Sequence, residues 1–253
     1  MKIIKYVKLK NNSYNVYIDD FSVKLYDDVI VKYELLRKKE IDKDSYEKII
    51  NDNNMLEAYY LSLKYLTKKM HCEKELFLYL KDKYDKKIIF DTINRLKKEN
   101  YLNDDVYARC YINDQLLLSC LGPNKIIKNL IGLNCDEDKV KEYVSVINNE
   151  VWFDRIEKII KKKLKSNRSY GVNKLKDKII YDLENLGYYK WMIDEVLNEI
   201  SFDDTDNILK KEYSKLYNKY MKKCDGKELE YKIISSLLNK GFEYDKIKKI
   251  LNN

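Results

Sequence analysis

A single histidine, His71, limits the nucleophilic chemistry open to this 253-residue chain, because a Ser-His-Asp or Cys-His site would have to be assembled around it. Its surroundings, Lys69-Met70-His71-Cys72-Glu73-Lys74-Glu75, read as a turn entering a helix whose first turn carries favourable acidic residues. The histidine is therefore expected to be structural or solvent-facing. Cys72, Cys110, Cys120, Cys135 and Cys224 are odd in number and never spaced Cys-x-x-Cys, and are expected to be buried free thiols. Gly122, Gly132, Gly171, Gly187, Gly226 and Gly241 are solitary, so no glycine-rich phosphate loop supports nucleotide binding. The acidic runs Asp104-Asp105, Asp136-Glu137-Asp138 and Asp203-Asp204 could be imagined as metal ligands. Each precedes an apolar helical stripe, however, where carboxylates cap free N–H groups and complement the helix dipole. No catalytic residue, metal or cofactor is expected, and a non-enzymatic protein is the reading.

The concentrated charge lies elsewhere. Between Lys158 and Lys178 stand nine basic residues, Lys158, Lys161, Lys162, Lys163, Lys165, Arg168, Lys174, Lys176 and Lys178, against the single acidic Asp177. The segment alone carries as much positive charge as the whole chain, whose 50 Lys and Arg outnumber 42 Asp and Glu by 8. Such a run can contact phosphates or an acidic protein surface. It can also be a solvated helix end, with Lys near the C-terminus favourable to the dipole.

The elements that would carry these residues follow from composition and period. Six Gly and one Pro leave few chain-breakers, which argues for long helices, and the 45% hydrophobic content is that of a globular protein. No apolar run approaches the length of a membrane span, and the N-terminus lacks a signal-peptide stretch, so a soluble, cytoplasmic protein is expected. Residues 1–53 alternate over Ile3 to Lys10 and Tyr14 to Ile18 about the turn Asn11-Asn12-Ser13, with a third strand near Phe21 to Leu25. Short helices are predicted from Asp27 and over Asp44 to Ile50. From Met55 the pattern turns helical, with stripes Leu56, Tyr59, Tyr60, Leu63, Leu66 and Val106, Tyr107, Cys110, Tyr111, Leu117.

Four stretches then repeat one register. Leu80, Leu130, Leu183 and Leu237 are apolar anchors, followed four residues later by Tyr84, Asn134, Gly187 and Gly241 at a turn. Next come Phe90, Val140, Ile193 and Ile247, and then Ile93, Tyr143, Val196 and Ile250. Gly and Asn suit a left-handed helix C-cap, and Tyr84 is the exception. The fold class is accordingly mainly α: tandem three-helix repeats stacked in an elongated curved array, with a small N-terminal β-hairpin-containing module. The boundaries read as 1–53, 54–100, 101–149, 150–201 and 202–253.

Several motifs resemble a known family. Tyr101-Leu102-Asn103-Asp104-Asp105 with Tyr107-Ala108 and Tyr111, Gly122-Pro123 leading into Ile126 and Leu130, and Leu238-x-x-Gly241-Phe242-x-Tyr244-x-x-Ile247-x-x-x-Leu251 look like RecX regulatory proteins, as does Glu73-x-Glu75-Leu76-x-x-Tyr79-Leu80 upstream. The β-containing module and the fourth unit resemble the longer members. The motif residues read as scaffold: Asn103 or Asp104 can cap a helix, Ala108 permits close helix approach, and Pro123 suits a first helical turn. The resemblance implies a non-catalytic protein that binds RecA filaments on single-stranded DNA, lies along their groove and restrains ATPase, strand exchange and coprotease activity in DNA repair and the SOS response. A monomer is expected, with single-stranded DNA a further partner. After Gly-Pro the chain keeps only Lys125 and Lys128, fewer basic residues than the family often has, so Lys161, Lys162, Lys163, Lys165 and Arg168 are expected to share the contact with an anionic surface. A helical-repeat protein acting directly on nucleic acid is the alternative.

Overall fold

The computed structural model describes residues 1–10, 12–202 and 206–251. Strands β1 (Ile3–Lys8), β2 (Ser13–Ile18) and β3 (Phe21–Tyr26) form an antiparallel meander in the order β1-β2-β3, as the alternation predicted. Its register sets Tyr6 opposite Val16 and Val16 opposite Val23. Asn12 belongs to the first turn, Ser13 already opens β2, and the predicted turn residue Asn11 lies outside the described residues. Val16, Ile18 and Leu25 pack with Val29 and Ile30 of α1 (Asp27–Lys32), Leu35, Ile41 and Ile49 into the core of this module.

Helix α2 (Lys43–Leu66) begins where the Asp42 carboxylate accepts from the Ser45 N–H at 2.8 Å and runs unbroken through the predicted boundary at 53. At that position buried Asn53 accepts from the Tyr26 N–H (3.0 Å) and donates to the Lys24 carbonyl (3.1 Å). One amide thereby satisfies two backbone groups of β3, which would otherwise be an open sheet edge.

The remaining helices come in triplets. α2 is joined by α3 (Glu73–Leu80) and α4 (Lys86–Lys98), and then follow α5 (Asp104–Leu118), α6 (Pro123–Gly132) and α7 (Glu137–Ser145). α8 (Asn149–Ser166), α9 (Val172–Asn185) and α10 (Lys190–Glu199) make the next set, and α11 (Asp206–Tyr220), α12 (Gly226–Asn239) and α13 (Tyr244–Leu251) the last. Two compact units emerge, residues 1–110 with 132–136, and residues 111–131 with 137–253. No helix among the described residues is long and apolar enough to cross a membrane.

The repeat anchors Leu80, Leu130, Leu183 and Leu237 are all fully buried. Asn134, Gly187 and Gly241 adopt φ of 64°, 91° and 82°, the left-handed conformation expected of them. Tyr84 does not, and α4 enters at a different phase: Ile89 and Ile93 are buried while the predicted Phe90 is 63% exposed. The α5 stripe also needs correction. Tyr107, Ala108 and Ile112 are buried, whereas Val106, Cys110 and Leu117 face solvent, because apolar residues surround this helix and its period selects no face.

One contact recurs between triplets. The turn before the third helix of one triplet docks on the N-cap of the second helix of the preceding triplet. Gly122 N–H donates to the Leu186 carbonyl (2.8 Å) and Asn124 N–H to the Gly187 carbonyl (3.0 Å). One repeat later, Gly171 N–H donates to the Lys240 carbonyl at 2.9 Å. In the first unit the equivalent N-cap is Cys72, whose thiol lies 3.9 Å from the Leu133 carbonyl while Lys74 Nζ donates to the Gly132 carbonyl at 2.7 Å. A Cβ on Gly122 would sit 2.5 Å from the Tyr188 nitrogen, and one on Gly171 would sit 2.6 Å from the Phe242 nitrogen. Backbone cannot yield there as a flexible side chain would. Gly122→Ala and Gly171→Ala are each expected to cost about 1–3 kcal/mol. Chemical denaturation should show this as a lowered midpoint for both, with Gly132→Ala, which meets open space, near wild type.

Candidate interaction surface

Most residues with chemical potential are absorbed by the scaffold. His71 is buried and structural: its Nδ1 lies 3.0 Å from Glu75 Oε2, and its ring stacks on Tyr65 at 3.9 Å between centroids. Glu75 also accepts from the Cys72 N–H, closing a capping box at the start of α3. The expectation of five buried thiols holds for Cys72 and Cys135 only. Cys224 is half-buried, and Cys110 and Cys120 are exposed, because they fall on the solvent side of α5 and in the loop after it. Burial pushes the Cys135 thiol up to about 12.

Of the acidic runs, Asp104-Asp105 supplies a cap, though of an unexpected helix. Asn103 Oδ1 accepts from the N–H groups of Asp105 (3.0 Å) and Val106 (3.1 Å), and so caps α5. Asp104 instead accepts from the Glu73 N–H at 2.9 Å and caps α3. Desolvation holds the Asp104 carboxyl above its ordinary range despite that bond. Asp136 precedes α7, and Asp203-Asp204 lies outside the described residues. Among the described residues no group of three or more His, Cys, Asp or Glu is arranged to hold a metal ion.

The motif residues are largely buried framework. Leu102, Ala108 and Phe242 are in the core, Gly122 is buried at its junction, and Pro123 occupies the first position of α6. Gly241 supplies its positive φ, Asp105 lies in the first turn of α5, and Tyr101 is 57% exposed. Lys125 carries its backbone against Gly187 while its side chain, like that of Lys128, is in solvent.

On α8 the basic residues divide by helical phase. Trp152, Ile156 and Ile160 form the buried stripe. At about 100° per residue, Lys158, Lys161, Lys162 and Lys165 all project within about 60° of the opposite direction, and all are exposed. Lys163 falls beside the buried stripe, and there its ammonium pairs with Asp182 of α9. Lys161 pairs with Glu157 one turn back at 2.6 Å. Lys158, Lys162 and Lys165 form no ion pair among the described residues. Together with Lys161, Ser166 and Arg168 they line a shallow open depression. Arg168 donates to the carbonyls of Lys165 (2.7 Å) and Asn167 (3.0 Å), closing the end of α8. Buried Asn167 then turns the chain toward the Gly171 junction, accepting from the Ser169 and Tyr170 N–H groups and donating to the Tyr170 carbonyl. The outlying Lys178 and Lys176 sit over the rings of Tyr170 and Phe202 at 3.9 and 4.6 Å.

Sequence reasoning missed Arg155. Its guanidinium donates to the carbonyls of Leu116 (2.5 Å), Gln115 (3.3 Å), Ser119 (2.8 Å) and Leu121 (3.2 Å), so it caps the C-terminal end of α5. Its position three residues after Trp152 was the available signal. Glu212 was also missed: it is buried and clasped by Lys215 (2.6 Å) and by Lys240 beside the Gly241 turn. Burial would raise the Glu212 carboxyl, yet hydrogen bonds and charge from the two lysines leave it below its ordinary value.

A small antiparallel sheet with triplets of helices joined turn-to-cap, and a lysine face outside them, defines a tandem three-helix-repeat scaffold built to present surface. Residues 58–96 match the family model described as RecX, first three-helix domain. The chain is 27% identical to the regulatory protein RecX of Oceanobacillus iheyensis, with 97% of this chain and 94% of the relative covered. It is 28% identical to that of Streptococcus agalactiae, with 99% and 98% covered. A crystal structure of regulatory protein RecX superposes with a TM-score of 0.66 at 20% identity over 78% of this chain and 98% of the other. The crystal structure of RecX from Lactobacillus salivarius gives 0.55 at 21%, over 58% and 97%. Over nearly its whole length the chain is thus similar to regulatory proteins RecX, and its fold is that of their solved structures.

Two tests follow. Arg155→Ala would remove the guanidinium donor from the Leu116, Ser119 and Leu121 carbonyls at and just after the end of α5, while the Gln115 carbonyl keeps the Ser119 N–H, and is expected to lower stability by about 2–3 kcal/mol, measured by chemical denaturation. Glu212 has a folded pKa below its unfolded one, so its stabilisation is present above the unfolded value, near 4.5, and fades as pH falls through the folded one. Glu212→Gln should therefore lower the thermal midpoint at pH 7 by a few degrees. The difference from wild type should shrink below pH 4.

Proposed function

We propose that this protein binds RecA filaments on single-stranded DNA and restrains them, lowering ATPase, strand exchange and coprotease activity in DNA repair and the SOS response. The supporting observation is the likeness to regulatory proteins RecX, which extends over 97–99% of the chain and so includes all four helix triplets and the β-containing module. A regulator of this kind needs no chemistry of its own. It acts by differential binding, favouring a stalled or shortened filament over a growing one.

The division into a β/α module at 1–53 and repeats at 54–100, 101–149, 150–201 and 202–253 fits this role, because stacked helix triplets offer a series of outer faces. Exposed apolar side chains suited to a protein partner include Leu117 and Leu118 at the end of α5 and Trp191 on α10, which is 52% exposed and edge-on to Phe153 at 6.1 Å. The basic face of α8, with Lys125 and Lys128 on α6, is the anion-contacting part of the proposal. The protein is proposed to act in the cytoplasm as a monomer, without a cofactor.

The second reading is direct action on nucleic acid, and the unpaired lysines of α8 are what favours it. Titrating the protein into the single-stranded-DNA-dependent ATPase of the cognate RecA separates the two. Inhibition at ratios well below one per RecA is expected. Inhibition that sets in only once the DNA itself is saturated would replace filament modulation by competition for DNA.

A further inference from the structure

We infer that the exposed face of α8 binds the phosphate backbone of nucleic acid rather than an acidic protein surface, through Lys158, Lys162 and Lys165 with Lys161 and Arg168 at its margins. This deepens the anion-contacting role given to α8 above and does not require the recombinase.

Structural roles do not account for these lysines. Charge near a helix C-terminus is favourable only within the last turn, which includes Lys163 and Lys165 and leaves out Lys158, Lys161 and Lys162. Lys158 with Lys162 and Lys161 with Lys165 are like charges four residues apart, an arrangement that destabilises a helix. Glu157 offsets one of them and Asp182 draws off only Lys163. Three ammonium groups along ~10 Å of helix are left without a carboxylate among the described residues.

The partner's class follows from what the face lacks. Protein interfaces rest on buried aromatic and apolar anchors with charge at the rim. From residue 152 through 180 no large hydrophobic side chain is exposed, although Val151 and Tyr181, on either side, are. From Lys158 through Arg168 the chain has no acidic residue, and this cationic, hydroxyl-bearing strip matches phosphate oxygens, which need charge and hydrogen-bond donors but no apolar contact. It carries no exposed ring for a base to stack on, so recognition is of backbone and not of sequence. The strip is also held in place: Lys163 ties α8 to α9, and the Asn167 turn leads directly to the Gly171 junction.

The test uses the full chain and an oligothymidylate of about 20 nucleotides, with binding followed across roughly 50–200 mM salt. A Lys158→Gln, Lys162→Gln, Lys165→Gln variant, checked by circular dichroism, is expected to bind about tenfold or more weakly. The slope of log affinity against log salt should fall by about 2, near 0.7 for each lost phosphate contact. A control that removes three exposed lysines of the N-terminal module, Lys38→Gln, Lys39→Gln, Lys43→Gln, should leave the slope unchanged. Three results would overturn the inference: no binding by wild type at 50 mM salt, an equal loss in the control, or capture of polyglutamate as tightly as the oligonucleotide. The last would assign the face to an acidic protein surface. Failure of the RecA proposal reads differently, as an unchanged ATPase with oligonucleotide binding and its lysine dependence intact.

Discussion

The structure depends on a backbone-to-backbone contact that recurs between helix triplets. A left-handed turn of one triplet lies on the N-cap of a helix in the triplet before it, close enough for main-chain N–H to main-chain carbonyl bonds. At Gly122 and Gly171 a side chain would collide with the incoming turn. These bonds use N–H groups that a helix start leaves without a partner and carbonyls that a helix end leaves without one, so each junction satisfies two orphan sets at once. The first N-cap has Cys72 instead of glycine; its N–H is turned to Glu75, and the thiol faces the Leu133 carbonyl in its place. The geometry is kept with a side chain in between.

That arrangement explains where the polar residues of the scaffold go. Asp104 leaves its own helix to cap α3, Arg155 gathers four carbonyls at the end of α5, and Lys240 reaches from the Gly241 turn to buried Glu212. Each satisfies groups that helix ends or burial would strand. His71 and Glu75 do the same at the start of α3. Residues that look able to do chemistry in one dimension are here spent on closing helix ends, which suits a protein whose work is contact.

The outer faces then present two separate chemistries. Exposed leucines and a tryptophan at the end of α5 and on α10 are apolar, while the face of α8 is cationic and has no apolar anchor. A partner that presents both protein surface and phosphate, such as a recombinase on DNA, would find both on one scaffold.

The sequence alone carried the strand meander, the four anchors and three of the four turn residues, but not the start of the long helices, since α2 begins at Lys43 and runs through the expected boundary at 53. All are local statements: a period of two or 3.6, a glycine or asparagine at a left-handed position, a proline at a first turn. It also carried the likeness to RecX proteins, since the motif residues are scaffold and scaffold leaves a pattern. What it could not carry was decided by neighbours distant in the chain. Phe90 was misplaced by one residue because Tyr84 does not make the left-handed turn that sets the phase elsewhere. Cys110, Val106 and Leu117 face solvent because α5 is apolar all round, and packing against other helices chose its buried side. The reach of Arg155, the pairing of Lys163 with Asp182 and the partners of Gly122 and Gly171 span 19 to 69 positions. Spacing fixes which way a side chain projects from its own helix, but only the tertiary structure brings to it the carbonyl, carboxylate or turn that it meets.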